Sequence, residues 1–191
     1  MITTPDGRPD KYAQIERERR FLLASLPASL VGSSDYHLIA DRYLPDSALR
    51  LRRIETADGA PVSYKLARKW RTPGQQPEEG AITNLYLTGA EYELLARLPG
   101  ATLRKRRYPL LDDGVHFSID QFEGPLEGLI LAELHLVPGL GALDPCPLPG
   151  CLREVTAEPA FSGGQLVRLQ PEEARQWLDD LLGPWRERRA W

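Results

Sequence analysis

The sequence predicts a closed, eight-stranded antiparallel β-barrel with a few flanking helices, α+β in content and mainly β. Three observations predict it. From Tyr12 to about Leu136 the chain is a succession of short segments whose apolar residues recur at every second position. Turn signals separate several of them, at Ala57-Asp58-Gly59, Pro73-Gly74, Asp112-Asp113-Gly114 and Glu123-Gly124-Pro125. Several of the segments also carry charges two residues apart on one face, and a barrel interior gives those charges a common space.

Taken in order, residues 1–11 read as a polar, flexible tail. Strands are expected at roughly 12–23, 35–44, 48–56, 61–70, 81–87, 101–109, 114–122 and 128–136. A helix interrupts them after Thr88, where Glu91 completes a capping box, Tyr92, Leu95 and Leu98 follow at helical spacing, and Pro99-Gly100 stops the segment. A helical turn near Pro27–Leu30 is more weakly signalled. Residues 137–153 hold four prolines and three glycines and read as a linker or long irregular loop within the 12–170 domain. A final helix is expected at 171–182, with Pro171 at its first position, Glu172 and Glu173 in its first turn, and Gly183-Pro184 at its end. Its stripe of Ala174, Trp177, Leu178, Leu181 and Leu182 either covers the outside of the barrel or plugs one end. Residues after 184 form a tail.

Composition excludes several classes. At 191 residues, 42% of them hydrophobic, the chain can bury a core without disulfides or a structural metal. No apolar run approaches the ~20 residues that span a bilayer, and the first residues lack a secretion-signal profile. Two cysteines, Cys146 and Cys151, and no zinc-like Cys/His spacing make a reduced, cytoplasmic setting the expectation. A net charge of −3 argues against coating nucleic acid or an anionic membrane, and the aromatics do not interleave with the basic residues as stacking platforms do.

The charges on the strands carry the functional reading. Glu16, Glu18 and Arg20 share a face of the first strand, Arg50 and Arg52 one of the third, and Lys105 and Arg107 one of the sixth. The fourth contributes Lys65, the seventh Asp120, and the eighth Glu133 and His135. For any one pair a solvated outer face is the ordinary account. It strains across all of them, because the signs segregate by strand while surface charge ordinarily mixes. Turned inward, the cations Arg20, Arg50, Arg52, Lys65, Lys105 and Arg107 suit phosphate oxygens. The carboxylates Glu16, Glu18, Asp120 and Glu133 suit a hard metal ion such as Mg²⁺ or Mn²⁺.

These residues resemble the CYTH superfamily, the triphosphate tunnel metalloenzymes. Glu16-Arg17-Glu18-Arg19-Arg20-Phe21-Leu22 is similar to the family's E-x-E-x-K-F-L signature. There follow, in the family's order, Tyr43-Leu44 with Arg50-Leu51-Arg52, Tyr64-Lys65-Leu66, Arg104-Lys105-Arg106-Arg107-Tyr108 and Ile119-Asp120-Gln121-Phe122-Glu123-Gly124. Gly128-Leu129-Ile130-Leu131-Ala132-Glu133-Leu134 and Glu154-Val155-Thr156 complete a likeness that covers about residues 12–166. The resemblance implies an eight-stranded tunnel and metal-dependent hydrolysis of a triphosphate phosphoanhydride, in inorganic tripolyphosphate or a small organic triphosphate. It implies Glu16, Glu18, Glu133 and His135 as metal ligands, and Arg20, Arg50, Arg52, Lys65, Asn84, Lys105 and Arg107 as substrate contacts. Lys65, Lys105 and Asp120 take catalytic roles in that scheme. The sequence departs from the pattern at Arg20, where lysine is usual, at Asn84, where the fifth strand normally has a glutamate pair, and at His135, which replaces a second glutamate. Pro159-Ala160 also stands in place of a basic pair. A class IV-type adenylate cyclase and a non-catalytic triphosphate- or polyphosphate-binding module are the alternatives. The expected partner is a small-molecule triphosphate, with neither nucleic acid nor membrane, and a homodimer is compatible with the reading.

Overall fold

The computed structural model describes the chain except residues 1, 5, 9, 72, 73, 137–147 and 188–191, and leaves out the side chains of 186 and 187. Nine strands are present among the described residues: β1 Gln14–Leu23, β2 His37–Tyr43, β3 Leu49–Thr56, β4 Pro61–Trp70, β5 Glu79–Leu87, β6 Ala101–Asp112, β7 Val115–Phe122, β8 Ile130–His135 and β9 Cys151–Glu154. The helices are α1 Gly89–Leu95, α2 Gly163–Leu166 and α3 Pro171–Glu187. Three 3₁₀ turns lie at Ala28–Leu30, Gly124–Leu126 and Pro159–Phe161.

The first eight strands close a barrel in the order β5-β4-β3-β2-β6-β7-β8-β1, with β1 returning to β5, and every pairing is antiparallel. Closure pairs the edges of the eight barrel strands with one another, and β9 adds on through β1 alone. One side of β1 is shared: Gln14–Arg17 pair with β5, and Phe21–Leu23 pair with β9. The ninth strand, Cys151–Glu154, begins within the 137–153 stretch read as irregular and runs one residue past it; its ladder partners come only from β1, far away in sequence. Cys151, which opens it, is disulfide-bonded, so the reduced-thiol expectation fails there; Cys146 lies outside the described residues.

Local chemistry accounts for the connections. Asp113 and Gly114, with φ of 47° and 79°, form a two-residue hairpin turn between the paired Asp112 and Val115. The capping box at α1 is present: the Glu91 N–H donates to the Thr88 hydroxyl, and the Thr88 N–H donates to the Glu91 carboxylate. At the N-terminus, Trp70 Nε1 donates to the Thr3 carbonyl and the Thr83 hydroxyl to Asp10. α3 runs a turn beyond Gly183-Pro184, where the sequence signals a stop. A proline costs one interior hydrogen bond, and so near a helix end that loss is small.

Two apolar clusters hold the barrel. Outside it, Phe21, Leu23, Tyr108, Phe117, Ile119, Ile130, Ala132 and Leu134 are covered by Leu30 and Leu148. The other cluster lies at one end of the interior. Leu22, Leu103, Phe122 and Leu131 point inward there and pack on Val155, Phe161, Leu166, Ala174, Leu178 and Leu182. Segment 155–166 therefore stoppers that end, and α3 packs against this layer and the Gly124–Leu126 turn.

Candidate functional site

Alternation places the charges. Along the inner face of β1 run Glu16, Glu18, Arg20 and Leu22, and along that of β8 run His135, Glu133 and Leu131. Arg20 lies opposite Glu133, and Glu18 opposite His135. β6 contributes Arg107, Lys105 and Leu103, and β7 Asp120 and Phe122. On β2 and β3, Asp41 faces Arg52 and Tyr43 faces Arg50. Each strand thus grades from apolar at the stoppered end, through charge, towards an exposed His135.

These side chains enclose a cavity of about 560 Å³. Its cations are Arg20, Arg50, Arg52, Lys69, Arg71, Lys105 and Arg107; its carboxylates are Glu16, Glu18, Asp41, Glu133 and Glu158. Tyr43, Phe161, Gly163 and Gly164 line it where it meets the stopper. Nine of the twelve residues singled out in the sequence line this one space: Glu16, Glu18, Arg20, Arg50, Arg52, Lys105, Arg107, Glu133 and His135.

Two buried aspartates organise the cations. Asp41, 1% exposed, accepts from Arg52 Nε and Nη2 at 2.6 and 2.7 Å, and Arg50 Nε lies 3.5 Å away. Burial opposes ionisation of Asp41, but Arg52 and Arg50 outweigh it and hold its carboxyl well below the usual range. Asp120, fully buried, accepts from Arg107 Nε and Nη2 at 2.6 Å each and from Lys105 Nζ. Its oxygens are taken by cations, so it orients the Arg107 fork and is not placed to hold a water or metal in the cavity. Arg107 also donates to Glu133. Burial and the adjacent Arg107 push the Lys105 ammonium below its ordinary value, against the pull of Asp120.

The remaining carboxylates are held together. Lys69 Nζ sits 3.1 Å from both Glu16 Oε2 and Glu18 Oε1, and Arg20 Nη2 is 3.2 Å from the same Glu18 oxygen. Burial and the neighbouring Glu133 oppose the charge on Glu18; Lys69 and Arg20 override them and lower it. Burial also opposes the charge on Glu133, yet Arg107, Lys105, Arg20 and Lys69 hold it well below its ordinary value. Arg20 reaches the stopper as well: Nη1 donates to the Phe161 carbonyl at 3.2 Å, its backbone N–H donates to the Thr156 hydroxyl, and Nε is buried without a partner. Among the described residues no three His, Cys, Asp or Glu side chains are gathered as a ready-made metal cage. Glu16, Glu18 and Glu133 nonetheless suit a hard divalent ion in donor type, sharing one cavity on adjacent strands.

Two expected contacts lie outside the cavity. Lys65 has the inward parity of Arg52, but its ammonium rests 4.9 Å from the ring centroid of Tyr86, which is 69% exposed. Asn84 is exposed, and β5 adds no side chain to the lining. The cation that β4 does bring is Lys69, two alternations beyond Lys65; parity marks both lysines as inward, and only their depth along the barrel separates them. Asp41 could not be found that way: its role depends on the β2–β3 register, which long-range pairing decides.

No family model matches the chain, and no curated protein matches it. Solved structures that share its fold include two of one protein. A structure described as the inorganic triphosphatase NE1496 is 23% identical, over 80% of this chain and 93% of that one, with a TM-score of 0.52. Another of the same protein, described as hypothetical, is 24% identical, over 80% and 97%, at 0.51. At these identities the likeness is one of fold, and the closed eight-stranded antiparallel barrel expected from the sequence is the fold of this chain.

Proposed function

We propose that the chain is a CYTH-type metal-dependent hydrolase of a triphosphate phosphoanhydride, with inorganic tripolyphosphate the first substrate to try. One observation carries the reading: Arg50, Arg52, Lys105 and Arg107 face Glu16, Glu18 and Glu133 across one cavity. Phosphoryl transfer asks mainly for positioning and charge neutralisation, which such a wall supplies. Asp41 and Asp120 take the Nε/Nη2 edges of Arg52 and Arg107 and so fix their guanidinium planes, leaving the Nη1 groups to meet phosphate oxygens in a set orientation. Lys105 neutralises a non-bridging oxygen, and the added negative charge favours its ammonium form. Glu16, Glu18 and Glu133, with His135 at the exposed end, would hold Mg²⁺ or Mn²⁺. When bound, such an ion neutralises phosphate oxygens and acidifies water. The end towards His135 admits a short phosphate chain, and the stopper at the other end keeps a long one from threading through.

A module that binds triphosphate without cleaving it is the second reading, favoured by the absence of any β5 carboxylate from the lining. Purified protein incubated with tripolyphosphate, thiamine triphosphate or ATP, under Mg²⁺ or Mn²⁺, separates these. Phosphate release from tripolyphosphate, lost in Lys105→Met and Glu133→Gln, is the expected result. Tight binding without release selects the binding module, and cyclic AMP from ATP selects the cyclase.

A further inference from the structure

Lys69 stands apart from the other cavity cations. Arg52, Lys105 and Arg107 are matched to aspartates buried in the wall. Arg20 and Arg107 each reach one of the three carboxylates offered to a metal, Glu18 and Glu133, whereas Lys69 bridges two of them, Glu16 and Glu18. We propose that Lys69 makes divalent-metal binding conditional on phosphate: its ammonium holds the Glu16–Glu18 pair until a phosphate oxygen draws it away. The inference rests on the proposed function and adds an order of assembly to it.

The charge balance supports this. Seven cations and five carboxylates line the cavity, and Asp120 lies beneath its wall. About one net positive charge remains, so neither a bare metal ion nor a bare polyanion is strongly favoured there. A metal ion arriving alone must break two ion pairs at 3.1 Å and leave the ammonium among Arg20 and other cations. A triphosphate offers that ammonium new oxygens, and its negative charge then calls for the metal. Lys69 is 37% exposed, on an unbranched stem, and is free to swing between partners in a way the forked, bidentate Arg52 and Arg107 are not. By linkage, phosphate tightens metal binding by the factor with which metal tightens phosphate binding.

The test is Mn²⁺ binding to the full chain, read as loss of the free-Mn²⁺ paramagnetic resonance signal, with and without imidotriphosphate and against protein-free blanks. The expected result is that saturating imidotriphosphate tightens Mn²⁺ at least tenfold. Lys69→Met and Lys69→Gln, with circular dichroism confirming their fold, should bind Mn²⁺ alone at least tenfold tighter than the unmodified chain and gain little from the analogue. Equal Mn²⁺ affinity with and without the analogue overturns the proposal, as do two folded variants with unchanged affinity for Mn²⁺ alone. Metal-dependent phosphate release in that same protein would leave the proposed hydrolase standing. Failure to retain Mn²⁺ in every state removes the metal from the proposed function, and the inference with it.

Discussion

At the scale of single residues, the site is a set of charges whose burial is offset by partners. Lys105 is the clearest case: burial and Arg107 lower its proton affinity below the ordinary 10.5, and Asp120 only partly restores it. A bound phosphate favours the ammonium, so affinity should fall with rising pH before free lysine titrates. Tripolyphosphate affinity measured by calorimetry from pH 7 to 10 checks this, and Lys105→Met should abolish the dependence. The carboxylates govern the acid side. Asp41, Glu18 and Glu133 have folded-state values below their ordinary 3.8 and 4.5. Between folded and ordinary values the unfolded chain binds more protons, so this stabilisation is complete above about pH 4.5 and drains away as pH falls further. Denaturant midpoints should therefore be flat from pH 7 to 5 and drop steeply below 4.5. Most of this site is legible in the sequence because charge two residues apart on a strand declares a shared face. Asp41, and Lys69 as distinct from Lys65, are not, because register and the depth of each rung along the tunnel arise only when the strands pair.

At the scale of elements, eight strands follow from alternation and turn chemistry, while β9 and the end of α3 do not. β9 is four residues whose ladder depends on β1, and α3 outlasts its stop signal. The stopper binds through close packing as well as apolar burial. A Cβ added at Gly163 would lie 2.1 Å from the Tyr43 hydroxyl and 3.0 Å from its ring carbon Cζ. Gly163→Ala should therefore destabilise the chain by about 1–3 kcal/mol, the usual range for overpacking. Tyr43→Phe removes the clashing oxygen, so the double variant should recover part of that loss, and a denaturant-based double-mutant cycle measures it. In α3, Leu178, 5% exposed within the interior cluster, should cost about 2–5 kcal/mol as Leu178→Ala.

At the scale of the whole molecule, closure of the barrel gathers charges that would repel on an open sheet, like signs on successive rungs, into one cavity, where the proposed function sets a polyanion and a cation. The repulsion stored there predicts that ligand stabilises the fold: tripolyphosphate with Mg²⁺ should raise the melting temperature in proportion to occupancy, and Glu133→Gln should shrink the rise. No helix among the described residues is long and apolar enough to cross a membrane. The most direct measurement is phosphate release from tripolyphosphate by the purified chain under Mg²⁺ or Mn²⁺, alongside Glu133→Gln. The account predicts metal-dependent release that falls at least a hundredfold in the variant; no release with either metal, or equal release by both proteins, contradicts it.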